Sequence, residues 1–135
     1  MLKASAETVL SIMSRDCYRV TLDTPITTLA RGLTLHRLPG APVVDEADRL
    51  VGFISEQDVL GQILDSVYHD DEAPPVSELM RSDVLSVSPD KSIIDLAQEM
   101  LGAKPKIYPV VEQDRLVGMV TRRDVLMALL AAHGR

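Results

Sequence analysis

An internal repeat constrains the fold of this chain more than any other feature. The sequence DRLVG occurs at 48–52 and again at 114–118, and DVL follows at 58–60 and 124–126. Upstream of these segments, identical residues recur at a spacing of 67 positions, and a one-residue gap then changes the spacing to 66. This many coincidences indicate a duplicated half-domain. Because each half has too little apolar surface to be stable alone, we expect the two halves to pack on each other.

Each half is predicted to contain the order helix, strand, helix, strand, strand, helix, because helical apolar spacing alternates with short β-branched runs. Thr24 is a candidate N-cap, with Pro25 at the first helical position. The polar segment 68–75 ends in two prolines and predicts a linker. It divides the chain into a first repeat at 1–70, with an N-terminal helix, and a second repeat at 71–135. The predicted helices cover 2–13, 25–36, 55–67, 76–80, 93–100 and 124–132, and the predicted strands cover 18–22, 42–44, 50–54, 84–87, 107–111 and 116–120.

Composition and charge argue against several classes of protein. A net charge of −6 and a pI near 4.9 disfavour binding to nucleic acid or anionic membranes, which usually requires a basic face. An aromatic content of 3% disfavours stacking platforms for single strands. Cys17 is the only cysteine, so neither an intramolecular disulfide nor a CxxC metal site can form. No apolar run reaches the roughly 18 residues that span a bilayer, and the N-terminus lacks a signal-peptide core, so we expect a cytoplasmic protein.

The same local pattern ends both DRLVG segments. A predicted buried strand stops at a hydroxyl residue, Ser55 or Thr121, and an aspartate, Asp58 or Asp124, follows three residues later at the start of a helix. Such a hydroxyl-x-x-aspartate corner has two interpretations. It is close to a capping box, which only starts the helix, or it presents a carboxylate and a hydroxyl to a ligand. The two roles can coexist in one corner.

The repeats resemble the cystathionine β-synthase (CBS) domain, and nearly the whole chain resembles a tandem CBS pair, or Bateman module. The resemblance is carried by the predicted element order, by the strands Ala41-Pro42-Val43-Val44 and Tyr108-Pro109-Val110-Val111, by the two Leu-Val-Gly segments, and by the two corners. It implies an α+β fold of two βαββα-type repeats that pack through their sheets with pseudo-two-fold symmetry. It further implies a homodimer and a regulatory module whose ligand is AMP, ADP or ATP, or alternatively S-adenosylmethionine or NAD.

The resemblance also implies how a corner would hold an adenosine ligand. The aspartate would accept hydrogen bonds from both ribose hydroxyls, which suits an acceptor-only group. The hydroxyl residue would contact phosphate at a helix N-terminus, where anions are favoured. Each cleft would combine the two repeats. The first cleft would contain Thr121 and Asp124 with Asp16, Cys17, Tyr18, Leu38, Pro39 and Gly40, and the second would contain Ser55 and Asp58 with Asp83, Val84, Leu85, Lys106, Ile107 and Tyr108.

Charge distinguishes the two implied clefts. Arg122 and Arg123 could meet phosphates in the first cleft, and Lys104 and Lys106 could do so in the second. In the other copy, the positions of Arg122 and Arg123 are occupied by a glutamate and a glutamine. The corner with Thr121 is therefore the preferred nucleotide site.

We weigh three possible functions against these patterns. The first is a sensor of adenine nucleotides that acts on an effector protein in trans, or as part of a larger chain. The second is a structural dimerisation module whose corners are only helix caps. An enzyme is disfavoured, because the sequence offers no nucleophile–base pair, no metal cluster and no Gly-rich phosphate loop. Gly52 and Gly118 serve either close packing or the approach of a ligand.

Overall fold

The computed structural model of the 135-residue chain describes residues 7–69 and 73–134. Its main elements are β1 (Val20–Thr21), α1 (Ile26–His36), β2 (Gly40–Val44), β3 (Leu50–Ser55), α2 (Glu56–His69), α3 (Ile93–Glu99), β4 (Ile107–Glu112), β5 (Arg115–Thr121) and α4 (Arg122–His133). Single turns of 3-10 helix lie at Val9–Ser11 and Val76–Glu78. The predicted α+β class, with two similar sets of elements, is confirmed.

The chain divides into two compact units. The central unit is Tyr18–Val84, and the terminal unit consists of the described residues of 1–17 and 85–135. None of the helices in the described part of the chain has the length and hydrophobicity that a membrane-spanning segment needs.

The central unit contains a three-stranded sheet with β2 in the middle. Strand β1 runs parallel to β2, and β3 runs antiparallel to it. All five residues of β2 are buried, and β2 lies between β1 and β3 in the sheet. Helices α1 and α2 contribute apolar side chains to the same core, and the 3-10 turn Val76–Glu78 adds Val76. The buried residues of this core are Val20, Ile26, Leu29, Leu33, Ala41, Val43, Ile54, Val59 and Val76.

The terminal unit repeats this plan around the antiparallel pair β4 and β5, in which Ile107 lies opposite Thr121. The two strands are joined by Gln113 and Asp114, which both have positive φ angles, of 52° and 67°. Two consecutive left-handed residues form the tight turn that suits a two-residue hairpin. The buried residues of this core are Val9, Val87, Ile93, Leu96, Met100, Tyr108, Val110, Val120 and Val125.

The two compact units do not coincide with the two sequence repeats, because each repeat contributes a short segment to the other unit. Ser14 pairs with Met119 of β5 through two backbone hydrogen bonds of 2.8 and 2.9 Å. In the central unit, Arg81 pairs with Phe53 of β3 through bonds of 2.9 and 2.8 Å. Each segment gives an edge strand backbone partners that it would otherwise lack. We call this arrangement the segment exchange.

The two repeated glycines lie at the segment exchange. A Cβ atom added to Gly118 would lie 2.7 Å from the Ser14 carbonyl oxygen. A Cβ atom added to Gly52 would collide with Met80 Sδ and lie 3.0 Å from the Arg81 carbonyl oxygen. The packing interpretation of these glycines is therefore the one that the structure supports.

Several predicted helix boundaries differ from the structure. Of the predicted helix at 2–13, residues 2–6 lie outside the described residues, and the described part contains only the turn Val9–Ser11. The prediction of Thr24 as N-cap is wrong, because Pro25 occupies that position. The Thr24 hydroxyl instead accepts a hydrogen bond of 3.0 Å from the Thr21 N–H, so it stabilises the preceding turn.

Residues 84–87, which are predicted to form a strand, do not form one in the structure. Only Val87 meets a neighbour, in an isolated parallel bridge with Val110. Its N–H donates to the Pro109 carbonyl at 3.0 Å, and its carbonyl accepts from Val111 at 2.8 Å. The alternating pattern of 84–87 resembles a strand, but a strand also needs a partner along its length.

Candidate functional site

The Thr121 corner joins β5 to α4 and forms a complete capping box. The Asp124 N–H donates to Thr121 Oγ1 at 3.0 Å, and the Thr121 N–H donates to Asp124 Oδ2 at 2.8 Å. The capping interpretation is thus confirmed for this corner. The capping box leaves some hydrogen-bonding groups of the two side chains unused. Within the described residues, Asp124 Oδ1 has no donor, and the Thr121 hydroxyl hydrogen has no acceptor.

The Ser55 corner also caps its helix, but here the hydroxyl hydrogen is already donated within the corner. Ser55 Oγ accepts from the Asp58 N–H at 3.2 Å and donates to Asp58 Oδ2 at 2.8 Å. A hydroxyl group has a single hydrogen to donate. Ser55 therefore has none left for a phosphate oxygen in this arrangement, whereas Thr121 does.

Backbone N–H groups at the start of α4 provide a further donor beside Thr121. The Arg122 N–H donates to the Lys106 carbonyl at 2.8 Å, and the Asp124 N–H is used by the capping box. The Arg123 N–H has no acceptor among the described residues. A free N–H at a helix N-terminus, next to a hydroxyl hydrogen, can receive an anionic oxygen.

Each corner lies next to the residues that begin the first strand of its own hairpin. Lys106 and Ile107 lie beside Thr121, because Ile107 is its partner across the hairpin. Their predicted place in a cleft with Ser55 stays a prediction. In the central unit, Gly40 lies opposite Ser55. The Glu56 N–H donates to the Pro39 carbonyl at 2.8 Å. The cause is the same in both units: in an antiparallel hairpin, the residues that precede the first strand lie next to those that follow the second.

Four exposed cationic residues surround the Thr121 corner. Arg122 and Arg123 begin α4, and Lys104 and Lys106 precede β4. Arg122 Nη2 donates to the Lys104 carbonyl at 3.2 Å, so the loop that carries both lysines is tied to the corner at two points. The corresponding residues of the central unit, by the repeat spacing, are Arg37, Pro39, Glu56 and Gln57.

Tyr108 lies buried next to this cationic loop. Its burial raises the pKa of the phenol above the ordinary value, and the Glu99 carboxylate raises it further, while Arg122 opposes the shift. The phenol is therefore neutral at pH 7. Glu99 itself forms an ion pair with Lys91 at 2.7 Å, so its charge is compensated away from the corner.

The Tyr18 side chain packs against helix α1. Its ring centroid lies 5.0 Å from that of His36, and a Cβ atom at Gly32 would collide with the Tyr18 hydroxyl. Burial raises the pKa of the Tyr18 phenol. Tyr18 thus has a packing role in the central unit, and its predicted contact with a ligand stays a prediction.

The predicted site residues are distributed over both units. Those in the terminal unit are Asp16, Cys17, Leu85, Lys106, Ile107, Tyr108, Thr121, Arg122, Arg123 and Asp124, and those in the central unit are Tyr18, Leu38, Pro39, Gly40, Ser55, Asp58, Asp83 and Val84. Any pairing of residues from different units stays a prediction. Within residues 7–69 and 73–134, no three His, Cys, Asp or Glu side chains come together as a metal site would need.

Solved structures with the same fold include complexes with adenosine compounds. The CBSX2 protein of Arabidopsis thaliana in complex with AMP is 27% identical, covers 96% of this chain and 99% of its own, and gives a TM-score of 0.82. The CBS domain pair of protein MJ0100 in complex with 5-methylthioadenosine and S-adenosyl-L-methionine is 25% identical. It covers 90% of this chain and 98% of its own, with a TM-score of 0.73.

Sequence comparison supports the same relationship. An uncharacterised protein of Methanocaldococcus jannaschii is 28% identical over 128 residues, which are 95% of this chain. The chain spans only 45% of the length of that curated relative. The sequence model of the CBS domain matches residues 9–65 and 76–131, so it covers both repeats. The chain therefore belongs to the CBS domain family.

Proposed function

We propose that this chain is a regulatory module that binds an adenosine compound at the Thr121 corner. The observation that carries the proposal is the unused bonding capacity of the capping box, namely Asp124 Oδ1 and the Thr121 hydroxyl hydrogen. The AMP complex of CBSX2, which is similar over nearly the whole chain, supports a ligand of this class.

The chemistry of the corner fits a 5′-nucleotide. The Asp124 carboxylate would accept hydrogen bonds from the ribose diol. The Thr121 hydroxyl and the Arg123 N–H would donate to the first phosphate. Charge-assisted bonds of this kind contribute about 1.5–3 kcal/mol each. Two of them supply a large part of the roughly 8 kcal/mol that micromolar affinity requires.

Regulation would act through a difference in affinity. A ligand can shift an equilibrium between two conformations only if it binds one of them more tightly. We propose that the occupied and unoccupied forms of the corner differ in their affinity for an effector protein, and that the chain itself catalyses no reaction.

Thermal denaturation with added ligands tests the proposal. AMP, ADP, ATP, S-adenosylmethionine or NAD should raise the melting temperature, because a ligand at 100 times its Kd stabilises the folded state by about 2.7 kcal/mol. CMP is the matched control, since it has the same ribose and phosphate but a different base, and it should give a smaller shift. If none of the adenosine compounds changes the melting temperature, the proposal is wrong.

A dimerisation module is the second candidate, and exposed apolar side chains favour it. Leu60 and Leu64 on α2 are 67% and 55% exposed, and Leu126 and Leu130 on α4 are 55% and 58% exposed. The two pairs occupy equivalent positions in the repeats. Beside α2, an open groove of about 470 Å³ continues this surface between α1 and α2. We propose that a second copy of the chain covers these faces, since a two-fold dimer needs self-complementary surfaces.

Analytical ultracentrifugation of the Leu64→Glu/Leu130→Glu variant tests the dimer. A charge on each apolar face should convert a dimer into a monomer, because a buried unpaired carboxylate is costly. Thr28→Glu, on the exposed side of α1, is the matched control and should stay dimeric. A parent that is monomeric at every concentration would contradict the proposal. A dimer that responds to no ligand would favour a purely structural role.

A further inference from the structure

We propose that the Thr121 corner selects nucleoside di- and triphosphates over monophosphates, and that Lys104 and Lys106 contact the additional phosphates. The inference rests on the proposed function, because it assumes that the corner binds a nucleotide. It adds a ligand class and assigns separate roles to the cationic residues around the corner.

The first step concerns the phosphate nearest the ribose. The Thr121 hydroxyl and the Arg123 N–H form a pair of donors at the N-terminus of α4, and neither has an acceptor among the described residues. These two groups suffice for one phosphate group. The lysine side chains are then not needed for a monophosphate.

The second step concerns the ammonium groups of the two lysines. Lys104 and Lys106 are exposed, and in the described part of the chain neither forms an ion pair. Glu99, whose charge acts on the neighbouring Tyr108, is already paired with Lys91. The chain as a whole carries a net charge of −6, but residues 104–106 carry two positive charges, which attract a ligand more strongly as its negative charge grows.

The third step concerns Arg122, which holds the loop in place. Its Nη2 donates to the Lys104 carbonyl at 3.2 Å, and its backbone N–H donates to the Lys106 carbonyl at 2.8 Å. One N–H of the guanidinium is therefore bonded to a backbone carbonyl of the loop. We assign Arg122 as a positioning residue that keeps the lysines beside the corner.

The equivalent corner of the central unit has the same backbone hydrogen bond, from the Glu56 N–H to the Pro39 carbonyl, but it has fewer cations. Arg37 matches Lys104, but Pro39 replaces the second lysine, and Glu56 replaces the positioning arginine. The Ser55 hydroxyl hydrogen is already donated to the capping aspartate. This corner therefore offers fewer cations and no hydroxyl hydrogen for a phosphate, and it serves as an internal comparison.

Isothermal titration calorimetry of the full chain with adenosine, AMP, ADP and ATP tests the inference. EDTA is present, so that no divalent cation neutralises the phosphates. The parent should bind ATP about tenfold more tightly than AMP, since two exposed ion pairs together supply this much. In the Lys104→Gln/Lys106→Gln variant, ATP should bind within about threefold of AMP, while adenosine binds as in the parent. Arg37→Gln, at the equivalent loop position, is the matched control and should keep the parental ratio.

The outcomes separate the two proposals. If adenosine and AMP bind but ATP binds no more tightly, the selectivity is wrong and the proposed function stands. If no adenosine compound binds, the proposed function fails. Arg122→Lys tests the positioning role, because it keeps the charge but not the planar guanidinium. It should lower the ratio of ATP to AMP affinity, and a parental ratio would mean that Arg122 acts by charge alone.

Discussion

Replacing Asp124 with asparagine is expected to lower the affinity for adenosine compounds by about tenfold to a hundredfold. Asparagine removes the charge and one acceptor that would hold the ribose diol, a loss of about 1.5–3 kcal/mol. Its amide oxygen can still accept the hydrogen bond of the Thr121 N–H, so the free energy of unfolding should stay within about 1 kcal/mol of the parent. Calorimetry measures the affinity and urea denaturation the stability.

Asp58→Asn is the matched control for this experiment. It makes the same chemical change at the equivalent position of the central unit, where Glu56 and Gln57 replace the two arginines. We expect a smaller loss of affinity there. If Asp124→Asn binds as well as the parent, the assignment of Asp124 to the ribose is wrong, and the corner is only a helix cap.

Gly118→Ala is expected to lower the free energy of unfolding by about 2 kcal/mol. The added Cβ atom would lie 2.7 Å from the Ser14 carbonyl oxygen, so backbone must move and the bridge to Met119 is weakened. Gly52→Ala should cost less, because the atom that it strikes first is the flexible end of the Met80 side chain. Urea denaturation, analysed with one m-value for all variants, measures both changes in the free energy of unfolding.

Gly61→Ala controls for the general effect of adding a methyl group. Gly61 lies inside α2, and nothing lies within 4 Å of an added Cβ atom. This variant should be more stable than the parent by about 0.5–1 kcal/mol, because glycine is unfavourable inside a helix. A Gly118→Ala variant as stable as the parent would contradict the packing role of the segment exchange.

The sequence pattern predicts the elements that form from local signals. The strands β2 to β5 follow from apolar runs bounded by turn residues, and both corners follow from a hydroxyl three residues before an aspartate. The repeat spacing also indicates that Lys104 and Lys106 match Arg37 and Pro39. In the structure this loop lies beside Thr121, and its predicted place in a cleft with Ser55 stays a prediction.

Other features depend on contacts that a local pattern does not contain. The bridge between Ser14 and Met119 joins distant parts of the chain, and no periodicity marks it. Threonine is a residue type that N-caps favour, but the Thr24 hydroxyl accepts a hydrogen bond from the Thr21 N–H in the preceding turn instead. The difference between the Ser55 and Thr121 hydroxyls is a matter of side-chain orientation, which the shared sequence pattern cannot distinguish.

The segment exchange sets an order for assembly during synthesis. Phe53 meets Arg81 after only a short further length of chain has left the ribosome, so the central unit can complete its sheet early. Ser14 must wait for Met119, 105 positions later. Contacts of such long sequence separation form slowly. The nascent chain therefore carries its N-terminal segment without its β5 partner until β5 itself has left the ribosome.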